Sequence, residues 1–259
     1  MNRKLVFKIT AQTIGVVIVL LVCVVGGLAL RSYLREKRAF DETTISGRCG
    51  EQRLADTTFC VNGVEIKMIG VGGGTICCKG MYDPVELSDF YIGETEVTQE
   101  LWTAIMGHNP SMMKDSVLCP VENVDLAECV AFVHKLDSIS GVDFRIPSFA
   151  QWLYVAYQGE GGKKLSAAKL AGREWLKNNS DNHIHPVKQK APNALGVYDM
   201  VGNVAEWTIS GSSPLFFVAG RSFDADAKDY EVDSYEINHS EVKTPSLGLR
   251  LVYVPEKSK

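Results

Sequence analysis

Asp199 and Glu206 flank the glycine of GVYDMVGNVAEW, residues 196–207. With the carbonyls of Gly202 and Val204 they place oxygens at positions i, i+3, i+5 and i+7 of one tight loop. A hard cation such as Ca²⁺ gathers several such oxygens at about 2.3–2.6 Å. The same spacing suits a core turn, with Asp199 capping local N–H groups and Glu206 in a hydrogen bond. Further on, AGRSFDADAKDY (219–230) clusters Ser222, Asp224, Asp226 and Asp229. Hydroxyls and carboxylates can do acid–base work, but no base–nucleophile pair is legible there. His183 and His185 of HIH either share a strand face and touch a metal, or sit on a surface loop before Pro186.

These residues need elements to hold them. Val61, Val64, Ile66, Met68 and Val71 predict strands joined by an Asn62–Gly63 turn, and VELSDFYIGETEVT reads as further strand. Thr98 caps a first helix through QELWTAIMG, with Leu101/Ile105 and Trp102/Met106 as apolar pairs. Asp125 and Glu128 form a capping box for a second, whose apolar face is Cys129, Val130, Val133 and Leu136. Ser148 and Gln151 start a third before WLYVAY. Beyond Gly159 brief apolar runs alternate with Gly, Asn, Asp and Pro, predicting small sheets and long loops.

The N-terminal part differs. Residues 9–30, ITAQTIGVVIVLLVCVVGGLAL, carry no charge and are long enough for a helix to cross a bilayer. A cleaved signal peptide would have a shorter apolar run, and a lipoprotein signal at Cys23 meets a bulky Val22. The expected order is a cytoplasmic tail at 1–8, an anchor at 9–30, a polar stalk at 31–56 and one domain at 57–255. Basic residues flank both sides of the anchor, so orientation rests on the short tail staying inside, which leaves the large domain extracytoplasmic. The net charge of −4 gives no basic footprint for nucleic acid. Six cysteines follow the anchor without CxxC spacing, which argues against zinc and leaves disulfides and buried thiols both open.

Several long motifs occur in order: DFYIGETEVTQELWTAIMGHNPS, PVENVDLAECVAFVHKL, GVDFRIPSFAQWLYVAYQG, PNALGVYDMVGNVAEW and a final GLRLV. Together, over roughly residues 59–253, they resemble the formylglycine-generating enzyme family, the sulfatase-modifying factors. The resemblance implies an α+β, C-type-lectin-like, loop-rich fold. It also implies a structural Ca²⁺ held by the side chains of Asp199 and Glu206 and the carbonyls of Gly202 and Val204.

Family enzymes oxidise a sulfatase cysteine to formylglycine with oxygen and copper on two cysteines that follow the calcium loop. Thiolates are the soft ligands Cu(I) needs. Ser222 matches the family serine, but the cysteine positions fall on Ala225 and Tyr230, and no cysteine follows Cys129. No copper and no catalytic residue are therefore expected. The expected function is a membrane-anchored, non-catalytic binding or scaffold module of the cell envelope. An envelope protein or a small ligand would be taken by loops 208–246, and no nucleic acid. The alternative is an enzyme of the same superfamily with altered active-site chemistry around Ser222 and its aspartates.

Overall fold

The computed structural model describes residues 44–47, 54–78, 83–158, 172–209, 216–226 and 235–255. The expected tail, the anchor and most of the stalk lie outside them. Among the described residues no helix is long and apolar enough to cross a membrane.

Twelve strands and three helices are described. Strands β1 (Thr44–Gly47), β4 (Gly74–Cys77) and β5 (Val85–Leu87) make a small antiparallel sheet in the order β1-β4-β5. Part of the expected stalk is therefore a strand. Four residues are too few to show a period-2 pattern, and pairing with β4 supplies what the sequence signal lacks. Strands β2 (Thr57–Val61) and β3 (Val64–Val71) form the predicted hairpin, with Asn62 at φ 51° and Gly63 at φ 84°. Two left-handed residues match the strand twist at a two-residue turn.

β3 continues a five-stranded antiparallel sheet, β2-β3-β6-β12-β7, with β6 (Phe90–Gly93), β7 (Phe144–Arg145) and β12 (Val252–Tyr253). A four-stranded sheet runs β10-β9-β8-β11: Tyr235–Asn238, Phe216–Ala219, Ala205–Ile209 and Leu247–Gly248. Only β11 is parallel to its neighbour.

The helices are α1 (Gln99–Met106), α2 (Leu126–Ser140) and α3 (Phe149–Gln158). Thr98 accepts from the Leu101 N–H, and Asp125 and Glu128 cap each other reciprocally. Ser148 and Gln151 repeat that exchange ahead of α3. Of the expected α2 face, Cys129, Val133 and Leu136 are buried, but Val130 is exposed and Phe132 takes its place. Phe132 stacks on Trp102 of α1, centroids 4.8 Å apart, which sets the rotation of the helix.

The two larger sheets separate two cores, and alternate side chains serve each. Ile66 and Met68 of β3 join α1 and α2 in one core, while Ile69 and Val71 join α3 in the other. In β8, Ala205 and Trp207 face the first core; Glu206 and Thr208 face the α3 side.

Candidate functional site

The 199–206 loop is built around Arg250. Its guanidinium is fully buried. Nη1 donates to the Gly93 carbonyl at 3.0 Å, and Nη2 to the carbonyls of Tyr198 and Asp199 at 2.9 and 3.1 Å. Nε donates to both Glu206 oxygens at 3.0 and 3.1 Å, and Nη2 to Glu206 Oε1 at 2.7 Å. The Trp152 indole N–H of α3 donates to Glu206 Oε2 at 2.7 Å. Glu206 thus has both oxygens engaged.

Asp199 is buried and stands at φ 52°. Its Oδ2 accepts from the Lys188 N–H at 3.0 Å, and its Oδ1 has no partner. Glu96 is also buried, with neither carboxylate oxygen partnered. Burial, then the Asp199 charge, pushes the Glu96 carboxyl well above its usual range. Burial raises Asp199 as well, against the Lys188 N–H and Arg250. Three buried carboxylates thus surround one guanidinium. Nearby, Glu94 pairs with Lys67 at 2.8 Å and Lys188 at 2.6 Å.

Gly202 fixes how closely the loop packs. At φ 83°, a Cβ there would lie 2.1 Å from the Trp175 carbonyl oxygen. Trp175 bridges to Gly202, and its ring stacks on His185 with centroids 3.7 Å apart. Lys190 Nζ sits 4.1 Å from that ring's centroid. His183 pairs with Asp115 at 3.4 Å instead. Among the described residues no three His, Cys, Asp or Glu side chains converge as a metal site.

On the opposite face of β8 lies a cavity of about 330 Å³. Its floor is apolar: Ala205, Val218, Val242 and Leu247. The walls bring polar groups from three segments: Arg221, Ser222 and Asp224 from the loop after β9, Glu236 and Asn238 from β10, and Thr244 and Ser246 before β11. Ser222 Oγ donates to Asp224 Oδ1. Arg221 stands at φ 62°, a left-handed conformation in which a long side chain is strained.

A model of the sulfatase-modifying factor enzyme 1-like domain matches residues 57–254. The chain belongs to that family. A curated relative, the "Chaperone protein LppX" of Paenibacillus barcinonensis, is 29% identical over 194 residues, covering 52% of this chain and 68% of that protein. The solved structure of Treponema denticola variable protein 1 is similar at TM-score 0.70 and 27% identity, covering 78% of this chain and all of that one. PvdO from Pseudomonas aeruginosa (TM-score 0.64, 18% identity) and CarF (0.59, 21%) share the fold; the matches cover 79% and 74% of this chain and 99% of each of theirs.

Of the family positions singled out in the sequence, Ser222 and Ala225 line the cavity. Tyr230 and Asp229 lie outside the described residues, and Asp226 is exposed. The two histidines go to separate partners. Cys60, Cys77, Cys119 and Cys129 form no disulfide among the described residues. Burial holds the Cys119 thiol up at about 11, where it stays protonated at neutral pH. Arg250, Glu96 and Trp152 were not picked out from the sequence. The available signal was an arginine inside the apolar run LGLRLVYV, since a buried charge must be paired.

Proposed function

We infer that this family domain, on a C-type-lectin-like frame, is a non-catalytic binding module of the cell envelope, tethered by residues 9–30 with its folded part outside the cytoplasm. The β8–β9–β10 cavity would take the ligand or the partner. The composition of that cavity carries the reading. It is of ligand-pocket size, with an apolar floor under convergent polar groups. Among the described residues it holds no thiol, and the sequence places no cysteine after Cys129. The names of two relatives given above, a chaperone and a variable protein, state no reaction of their own.

In-cell cross-linking with mass spectrometry tests this. The comparisons are the full chain, a chain lacking residues 57–255, and the cavity-filling Asn238→Trp. A partner lost in both controls supports the reading; capture indifferent to both removes it. The Ser222–Asp224 hydrogen bond favours a second reading, altered chemistry at the same place. Aldehyde formed on a Cys-x-Pro-x-Arg peptide with Cu(I) and oxygen would overturn the non-catalytic assignment.

A structural Ca²⁺ at the 199–206 loop belongs to the same proposal. The unpartnered, buried Asp199 Oδ1 supports it, since such atoms call for an explanation. Asp199 and the carbonyls of Gly202 and Val204 would hold the ion. Glu206 fits least well, with both oxygens given to Arg250 and Trp152.

A further inference from the structure

We propose that the β8–β9–β10 cavity selects a compact primary ammonium compound with an aliphatic body. This rests on the reading that the cavity is a binding site, and names the chemistry it would recognise. About 330 Å³ is room for roughly eleven waters at ~30 Å³ each, so the ligand is small. The apolar floor of Ala205, Val218 and Leu247 offers burial to a hydrocarbon body and no hydrogen bonds to a polar one.

The carboxylates decide the charge. Asp224 and Glu236 come from different segments, the loop after β9 and the edge strand β10, and line the same cavity. Glu236 sits opposite Val218 in the β9–β10 register, so its side chain stands on the cavity face. It has no hydrogen bond or ion pair among the described residues, although it faces a concave site. Ser222 Oγ engages one Asp224 oxygen and orients that carboxylate. Among the described lining residues one guanidinium, Arg221, stands against these two negative groups, and it has an interaction of its own. The described wall is net negative, and an ammonium group has three donors to meet two carboxylates from two sides. A carboxylate on the same ligand would face that negative wall, so a zwitterion binds more weakly than the simple amine.

The experiment uses the purified full chain and four probes of similar size: isoamylamine, leucine, 4-methylpentanoate and glucose. Ligand-observed NMR reads weak binding directly. Isoamylamine binds, leucine binds more weakly, 4-methylpentanoate and glucose do not bind, and raising the salt weakens isoamylamine. Glu236→Gln, a change at an exposed and unpartnered side chain of an edge strand, folds normally and weakens isoamylamine by at least about fivefold. No binding by either amine, equal binding of the acid or the sugar, or affinity unchanged in Glu236→Gln overturns the class. The broader reading fails separately. If Asn238→Trp abolishes capture of an envelope partner while no amine binds, the cavity is a binding site for something other than an amine. If capture ignores Asn238→Trp and amine binding does too, the cavity is not the site.

Discussion

Replacing Arg250 with methionine keeps much of the side-chain volume and removes the charge at the centre of the fold. The wild-type guanidinium holds three backbone carbonyls and both oxygens of Glu206 in a site without solvent. Removing one partner of a buried ion pair costs about 3–5 kcal/mol, because the other charge stays behind. The orphaned carbonyls each add up to ~1–3 kcal/mol, though such terms overlap and do not sum. Glu96 and Asp199 worsen the loss, since Arg250 is the guanidinium they face. A net cost of at least about 4 kcal/mol is expected, a large share of an ordinary domain's ~5–15 kcal/mol. At ~2–4 °C per kcal/mol for a domain of this size, the melting temperature falls by about 8–16 °C. Urea titrations of wild type, Arg250→Met, Glu206→Gln and the double variant give the coupling directly. The double variant should be less destabilised than the sum of the two singles, because each single strands a charge or a donor set. A loss below about 1 kcal/mol in Arg250→Met, or strictly additive singles, would refute the claim that this pair organises the loop.

Gly202→Ala puts a methyl 2.1 Å from the Trp175 carbonyl oxygen at a left-handed φ, so a loss of about 3 kcal/mol or more is expected by chemical denaturation. The stability profile against pH should tilt towards acid. Burial raises Glu122 from its ordinary 4.5 and Asp137 from its ordinary 3.8, so the folded state binds protons that the unfolded state releases. Their contribution is full below those ordinary values and is lost as pH rises through the raised ones. Denaturation midpoints from pH 4 to 7 in Glu122→Gln should show a flatter slope than wild type, and an unchanged slope would remove Glu122 as a cause. Chelation of calcium should lower the melting temperature of the wild type and leave Asp199→Ala unaffected; identical melts with and without chelator would withdraw the ion.

The helix caps and the β2–β3 turn were legible because their determinants are local: a side-chain oxygen three residues from an N–H, or two left-handed residues in a row. Phe132 was not, since its place in the core is set by stacking on Trp102 in another helix. β1 was missed for the opposite reason: four residues have no period, and only β4 makes them a strand. In the site, the sequence pointed to Asp199, Gly202, Val204 and Glu206 as one cluster; the first three lie in the loop before β8, and Glu206 stands in β8 itself, bonded to Arg250. Its organising partner lies 44 residues beyond Glu206, which no spacing argument reaches. Likewise the cavity draws its walls from three segments that meet only when β10 pairs with β9 and β11 with β8.

Strand β8 explains how the lining of the cavity can vary while the fold is kept. Its side chains alternate, so Glu206 enters the Arg250 cluster while its neighbour Ala205 floors the cavity. The Arg250 cluster and the cavity stand back to back across one strand, and among the described residues they share no polar side chain. Asp224, Glu236 and Asn238 are not among the residues that hold Arg250, and among the described residues no buried charge is hydrogen-bonded to them. Substitutions at those walls should therefore shift stability by less than about 0.5 kcal/mol, the usual range for surface sites, while changing ligand preference. The contrast with the loss at Arg250 is measurable on the same denaturation curves. A wall substitution as costly as Arg250→Met would mean that cavity and cluster are one structural unit, and that this surface is not free to vary.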